Sequence, residues 1–151
     1  MTELLLKKKK NGFTLIELIL VLAIIALIAS IILTSLQKVQ KSSKDTRIIE
    51  DMDMFRKKAN LVFQTSGNFD TVCCGVAPCD ADVNKICDDT DSFNGGYPGI
   101  AVYTPTSPAQ DYCAKIRLNV GDWHCVDSTL ESKRYSSEPD CGSGDYTCKT
   151  D

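Results

Sequence analysis

Eight cysteines, one histidine and a run of alternating oxygen ligands are the residues of this 151-residue chain whose types and spacing suggest chemistry. Cys73, Cys74, Cys79, Cys87, Cys113, Cys125, Cys141 and Cys148 all follow Gly67, in a stretch that also gathers the glycines, prolines and aspartates. So many thiols in so short a segment read as a disulfide framework formed in an oxidising compartment. Their order does not choose among the many possible pairings. Adjacent Cys73 and Cys74 are expected to take separate partners, and Cys141 and Cys148 are spaced to close a local loop. Zinc is the competing use of these thiols, but the chain has no CxxC pair and only His124 as an imidazole ligand.

Asp80, Asp82 and Asn84 stand at alternate positions, and Asp91 falls where a calcium loop of the EF-hand type places its last ligand. Lys85 occupies the turn position usually given to glycine, and an aspartate replaces the closing glutamate. The four residues form a candidate calcium set, and calcium is the one cofactor this sequence suggests. The same residues also read as a solvated turn run held between Cys79 and Cys87. His124 lies in Trp123-His124-Cys125-Val126-Asp127-Ser128, which alternates like a strand, and reads as an ordinary strand residue. No Gly-rich phosphate loop, HExxH motif or Ser-His arrangement with a recognisable context is present, so an enzyme is not expected.

The elements that must position these residues begin with the N-terminus. Four lysines, Lys7 to Lys10, precede an apolar run interrupted by one carboxylate, Glu17. Leu18 to Leu36 contains no charge, glycine or proline, and as a helix those residues would span about 28 Å, close to a bilayer's hydrocarbon core. The N-terminal lysines, set against Lys38 and Lys41 on the other side, favour a single-pass topology with the N-terminus in the cytoplasm. An ordinary secretory signal cut near Ala26 or Ala29 is the other reading, but its apolar core is typically only about 7–15 residues long.

Gly12-Phe13-Thr14-Leu15-Ile16-Glu17, following a basic leader and opening directly into the apolar run, resembles the prepilin signal of the type IV pilin and pseudopilin family. The resemblance implies that a prepilin peptidase cuts after Gly12 and that the new N-terminal Phe13 is methylated. It further implies that the Phe13 amine meets Glu17 of a neighbouring subunit as helices pack into a filament. Pairing would relieve two desolvated charges at once. Glu17 reaching headgroups and water is the alternative. Many family members carry a proline about twenty residues into the mature helix, whereas this chain has Thr34 there, so melting of the helix at that place is not implied.

Phe13 to Ser66 has no glycine or proline and is expected to be one helix. Leu36, Val39, Met52, Phe55, Ala59 and Val62 recur at near-helical spacing, so its second half is expected to pack onto a sheet. Strands are expected at Ile100–Thr104, Ala114–Val120 and Trp123–Asp127, with Gly121-Asp122 as a turn. Ser66 to Gly99 reads as a mostly irregular loop stapled by cysteines. The fold expected is α+β and pilin-like, a long helix packed on a small antiparallel sheet with a disulfide-rich loop region. Its parts are a cleaved leader at 1–12, a transmembrane or filament-core helix at 13–36, an amphipathic helix at 37–66 and a Cys-rich exported region at 67–151.

Gly67 to Asp151 carries 14 acidic and 6 basic residues, a balance of −8, which argues against direct binding of nucleic acid. The function expected is a structural subunit of a type IV pilus or related filament. A pseudopilin of a type II secretion or DNA-uptake system is the alternative within that class, and a membrane-anchored disulfide-rich binding module is the alternative outside it. The resemblance implies as partners identical or related pilin subunits, prepilin peptidase, an assembly ATPase and a membrane platform. It places the chain first in the cytoplasmic membrane and then in an extracellular pilus or a periplasm-spanning filament.

Overall fold

The glycine- and proline-free run forms a single helix, α1 (Leu15–Ser66), in a computed structural model that describes residues 12–75, 78–95, 98–142, 144 and 146–149. The expected leader lies outside the described residues apart from Gly12. The chain divides into one unit running to Lys38 and a second from Val39 to Asp151. In the first unit the apolar side chains from Leu15 to Leu36 are exposed among the described residues, and α1 is there long and apolar enough to cross a membrane.

Among the described residues the second unit has two buried clusters, the larger between α1 and one face of the sheet and the smaller around the cysteines on the other face. Ile48, Met52, Phe55, Ala59 and Val62 recur on one face of α1 and are buried with Ala114, Ile116 and Val126 of the sheet and with Leu118, which follows a strand end. Phe69 and Tyr112 close one end of this layer, with ring centroids 4.9 Å apart in an edge-to-face arrangement. The expected stripe is thus present from Met52 to Val62, but Leu36 and Val39 are exposed, and Asp45 and Ile48 hold the buried positions nearest to them in the second unit.

Four strands, β1 (Ala101–Tyr103), β2 (Cys113–Arg117), β3 (Trp123–Asp127) and β4 (Ser132–Tyr135), form one antiparallel sheet in chain order. The β2–β3 turn depends on Gly121, whose φ of +102° suits glycine. Both faces of β2 and β3 are buried, because the segment after β4 returns across the face that α1 does not cover. Two disulfides fasten that tail, Cys113–Cys141 and Cys125–Cys148, and two more, Cys73–Cys79 and Cys74–Cys87, fasten the segment before the sheet.

Three expectations need correction. The supposed loop between Ser66 and Gly99 contains a second helix, α2 (Ala81–Phe93), which buries Val83, Cys87 and Thr90. Its first turn is capped by Asp80, whose side chain accepts the Asp82 and Val83 amides. Cys141 does not pair with Cys148, since β2–β3 pairing sets Cys113 and Cys125 together and each tail cysteine takes one of them. The edge strand β4 was not expected, because Ser-Lys-Arg-Tyr has no apolar alternation and gains its place by pairing with β3. The whole is an α+β fold of the pilin-like kind: a long N-terminal apolar helix, a small antiparallel sheet and four disulfides.

Candidate functional site at the start of the long helix

Thr14 and Glu17 meet where α1 begins. The Thr14 amide and its hydroxyl both donate to Glu17 Oε2, at 2.9 and 2.8 Å, and the Glu17 amide donates to Thr14 Oγ1 at 3.3 Å. This is a capping box, in which a threonine and a glutamate three residues later satisfy each other's free helix-end amides. The Thr-x-x-Glu pattern was present in the sequence as a second signal at Glu17. The family resemblance points to an external partner for Glu17, whereas this pattern points to one within the chain. Phe13 beside it is 87% exposed. A cut after Gly12 would leave a new amine on the residue adjacent to the Thr14 amide that Glu17 already accepts.

Gly12 itself carries no structural demand for glycine. A Cβ built there would meet nothing within 4 Å, and its backbone lies outside the left-handed region. A requirement for glycine at this position would therefore come from whatever recognises the peptide bond between Gly12 and Phe13.

The candidate calcium set is not gathered. Asp80 caps α2, Asp82 forms an ion pair with Lys58 of α1, and Asn84 Oδ1 accepts the Gly75 amide at 2.8 Å. Asp91 lies against Gly99, where an added Cβ would clash with its Oδ1. At about 100° per residue, Asp82 and Asp91 fall on opposite sides of α2. Asp91 and Asp88 line a cavity of about 310 Å³ beside the Cys74–Cys87 bridge, and burial together with the Asp88 charge raises the Asp91 pKa.

His124 is buried in β3 and bonded to a serine, but in the wrong order for nucleophilic catalysis. Ser132 Oγ donates to Asp53 Oδ1 at 2.8 Å, so it accepts from His124 Nε2 at 3.2 Å. The serine proton faces a carboxylate and the imidazole acts as donor, the reverse of the serine–histidine relation that activates a nucleophile. Among the described residues the buried His124 Nδ1 has no hydrogen-bond partner, and burial lowers the His124 pKa.

Two buried carboxylates that sequence reasoning passed over hold the second unit in register. Asp45 Oδ1 accepts the Asn119 amide at 2.6 Å and the Asn119 side chain at 2.9 Å, while Oδ2 accepts the Val120 amide at 3.1 Å. Asp127 Oδ1 accepts from the Thr129 and Glu131 amides, and its Oδ2 accepts the Cys148 amide at 2.8 Å. Both carboxylates are filled by the chain's own donors. They serve the fold rather than a ligand.

Residues 7–33 match the family described as the prokaryotic N-terminal methylation motif. The match begins in the lysine run, covers Gly12, Phe13, Thr14 and Glu17, and ends inside the exposed apolar part of α1. The chain thus carries the prepilin-type signal that marks type IV pilins and pseudopilins. No curated protein and no solved structure matches the chain.

Proposed function

We propose that this chain is a structural subunit of a type IV pilus or a related filament. In this reading it is made as a precursor, held in the cytoplasmic membrane by α1 with the N-terminus inside, and cut after Gly12 by a prepilin peptidase. It is then drawn into a filament whose core is a bundle of such helices. The observation that carries the reading is the coincidence of the methylation motif with an apolar helix whose side chains are exposed among the described residues. About twenty uncovered apolar residues in a row require either lipid or other copies of the same helix.

Glu17 supports the assembly step. Its carboxylate is partnered within the chain by Thr14, so the single subunit already lessens the cost of placing a charge in the bilayer. Replacing those bonds by the methylated Phe13 amine of a neighbour would exchange neutral donors for a cation, a stronger partner at low dielectric. Methylation keeps the charge. A prepilin peptidase, an assembly ATPase and a membrane platform are the partners this reading calls for. Calcium at Asp80, Asp82, Asn84 or Asp91 is a proposal that would need those side chains to leave their present partners.

Production of the full chain with and without a prepilin peptidase tests the first step. The reading expects loss of the leader mass only where the peptidase is present, and loss of that processing when Gly12 is replaced by valine. Equal masses in both cells would refute it.

A further inference from the structure

Between Glu17 and Glu50 the chain has one acidic residue, Asp45, and its carboxylate is buried and filled by Asn119 and Val120. Over the same stretch Lys38, Lys41 and Lys44 are exposed, and none of the three forms an ion pair among the described residues. Arg47, the next basic residue, stands over the Phe93 ring at 5.5 Å. Exposed charge in this part of α1 is therefore of one sign.

The distance of these lysines from the apolar run is informative. Leu36 is the last residue of that run, and at a rise of about 1.5 Å per residue the three lysines stand about 3, 8 and 12 Å farther along α1. The headgroup zone on each side of a bilayer is about 5–7 Å thick. Lysine stems extend several ångströms and let the ammonium settle at the depth that suits it. Steps of three residues also turn the lysines progressively around the helix, over about 120° in all. A neighbouring chain touches one side of a helix, whereas lipid headgroups surround it, so a band spread in this way suits lipid.

We infer that Lys38, Lys41 and Lys44 bind the headgroups of anionic phospholipids and so fix how deeply α1 sits before assembly. The inference rests on the membrane-anchored reading above. Entry into a filament would then require these contacts to be released, and the lipid surface would oppose extraction in proportion to its negative charge.

The test uses the full chain reconstituted into vesicles of phosphatidylcholine alone, or of phosphatidylcholine with phosphatidylglycerol, treated with a water-soluble amine reagent and read lysine by lysine from peptide masses. Lys57 and Lys85, which are exposed on α1 and α2, serve as internal references. In phosphatidylglycerol the labelling of Lys38, Lys41 and Lys44 is expected to slow by about five-fold each relative to the references. That protection should vanish as salt rises to about 1 M, where screening acts within about 3 Å. Equal rates in the two lipids overturn the inference. Protection that is the same in both lipids and grows with protein density also overturns it, assigning the band to a second copy while leaving the anchor intact. Failure of the chain to float with vesicles of either kind removes the anchored reading itself, and this inference with it.

Discussion

Thr14 and Glu17 satisfy each other at the first turn of α1, with the threonine hydroxyl donating to the carboxylate over 2.8 Å and accepting the Glu17 amide. One carboxylate therefore has two roles to fill, a helix cap in the single chain and a charge partner in the proposed filament. Glu17→Gln retains a capping oxygen and removes the charge. It should be cut by the peptidase like the wild type yet fall by roughly tenfold or more in sheared filaments, as expected when a desolvated amine loses its counter-charge. Thr14→Val keeps the charge and removes the hydroxyl, at a local cost of about 0.5–2 kcal/mol. It should show faster amide exchange at the start of α1 with filament yield near normal. Equal yields from Glu17→Gln and wild type would leave Glu17 with the cap alone.

Asp45 provides a second test, because it links α1 to the β2–β3 turn through three bonds from Asn119 and Val120. Asp45→Ala takes the acceptor from the half-buried Asn119 amide and from the Val120 amide, while the Asn119 side chain keeps the Phe93 carbonyl. It should destabilise the oxidised protein by about 2–4 kcal/mol in denaturant unfolding in detergent micelles. Asp45→Asn, which can still accept from Asn119, should lose less. Equal stability for Asp45→Ala and wild type would show that the turn holds its place without this anchor.

His124 predicts a pH dependence with a definite sign. Burial holds its folded pKa below the ordinary 6.5, against a smaller opposing contribution from Asp53 and with Arg134 and Arg56 reinforcing it. The unfolded chain therefore takes up the proton first as pH falls. Stability is expected to be full above about pH 6.5 and to decline below it, with a slope of up to about 1.4 kcal/mol per pH unit, until the folded imidazole is itself protonated. His124→Gln should flatten that part of the profile in unfolding experiments between pH 7 and pH 5. A profile identical to wild type would mean that other groups set the acid limit.

The tail disulfides predict a distinct chemical behaviour. Cys113 and Cys125 Sγ lie 3.4 Å apart, and Cys125 and Cys141 Sγ lie 3.8 Å apart, so the two bridges touch. Cys148→Ser would place a free Cys125 thiol against the intact Cys113–Cys141 bond, where thiolate attack can exchange the pairing. Peptide mapping should find Cys125 joined in part to Cys113 or Cys141, whereas the double variant Cys125→Ser, Cys148→Ser should map only to Cys113–Cys141. A single variant that keeps only the native bridge would show that the sulfurs are held too rigidly to exchange. Loss of either bridge should cost about 2–4 kcal/mol.

Much of this arrangement could be read from the chain because local rules decided it. The run without glycine or proline announced α1, and apolar patterning with Gly121 announced β2, β3 and their turn. At α2 two local patterns competed. Asp80, Asp82 and Asn84 fit a calcium loop, while Asp80 followed by Val83, Ile86, Cys87, Thr90 and Phe93 fits a capped amphipathic helix, and the second pattern describes the structure. The roles of Asp45 and Asp127 were not legible. Asp45 meets Asn119 across 74 residues, and Asp127 meets Cys148 across 21, partnerships that exist only after the sheet and tail are in place. The same reason hid the tail pairing, since the proximity of Cys113 and Cys125 is made by strand register.

The most direct test of the central claim is the mass of the N-terminal peptide from native cells, measured in membranes and in sheared surface material. The account predicts a methylated peptide beginning at Phe13 and enriched in the sheared fraction. An intact leader, with all the protein retained in the membrane, would contradict it and favour a membrane-anchored binding module instead.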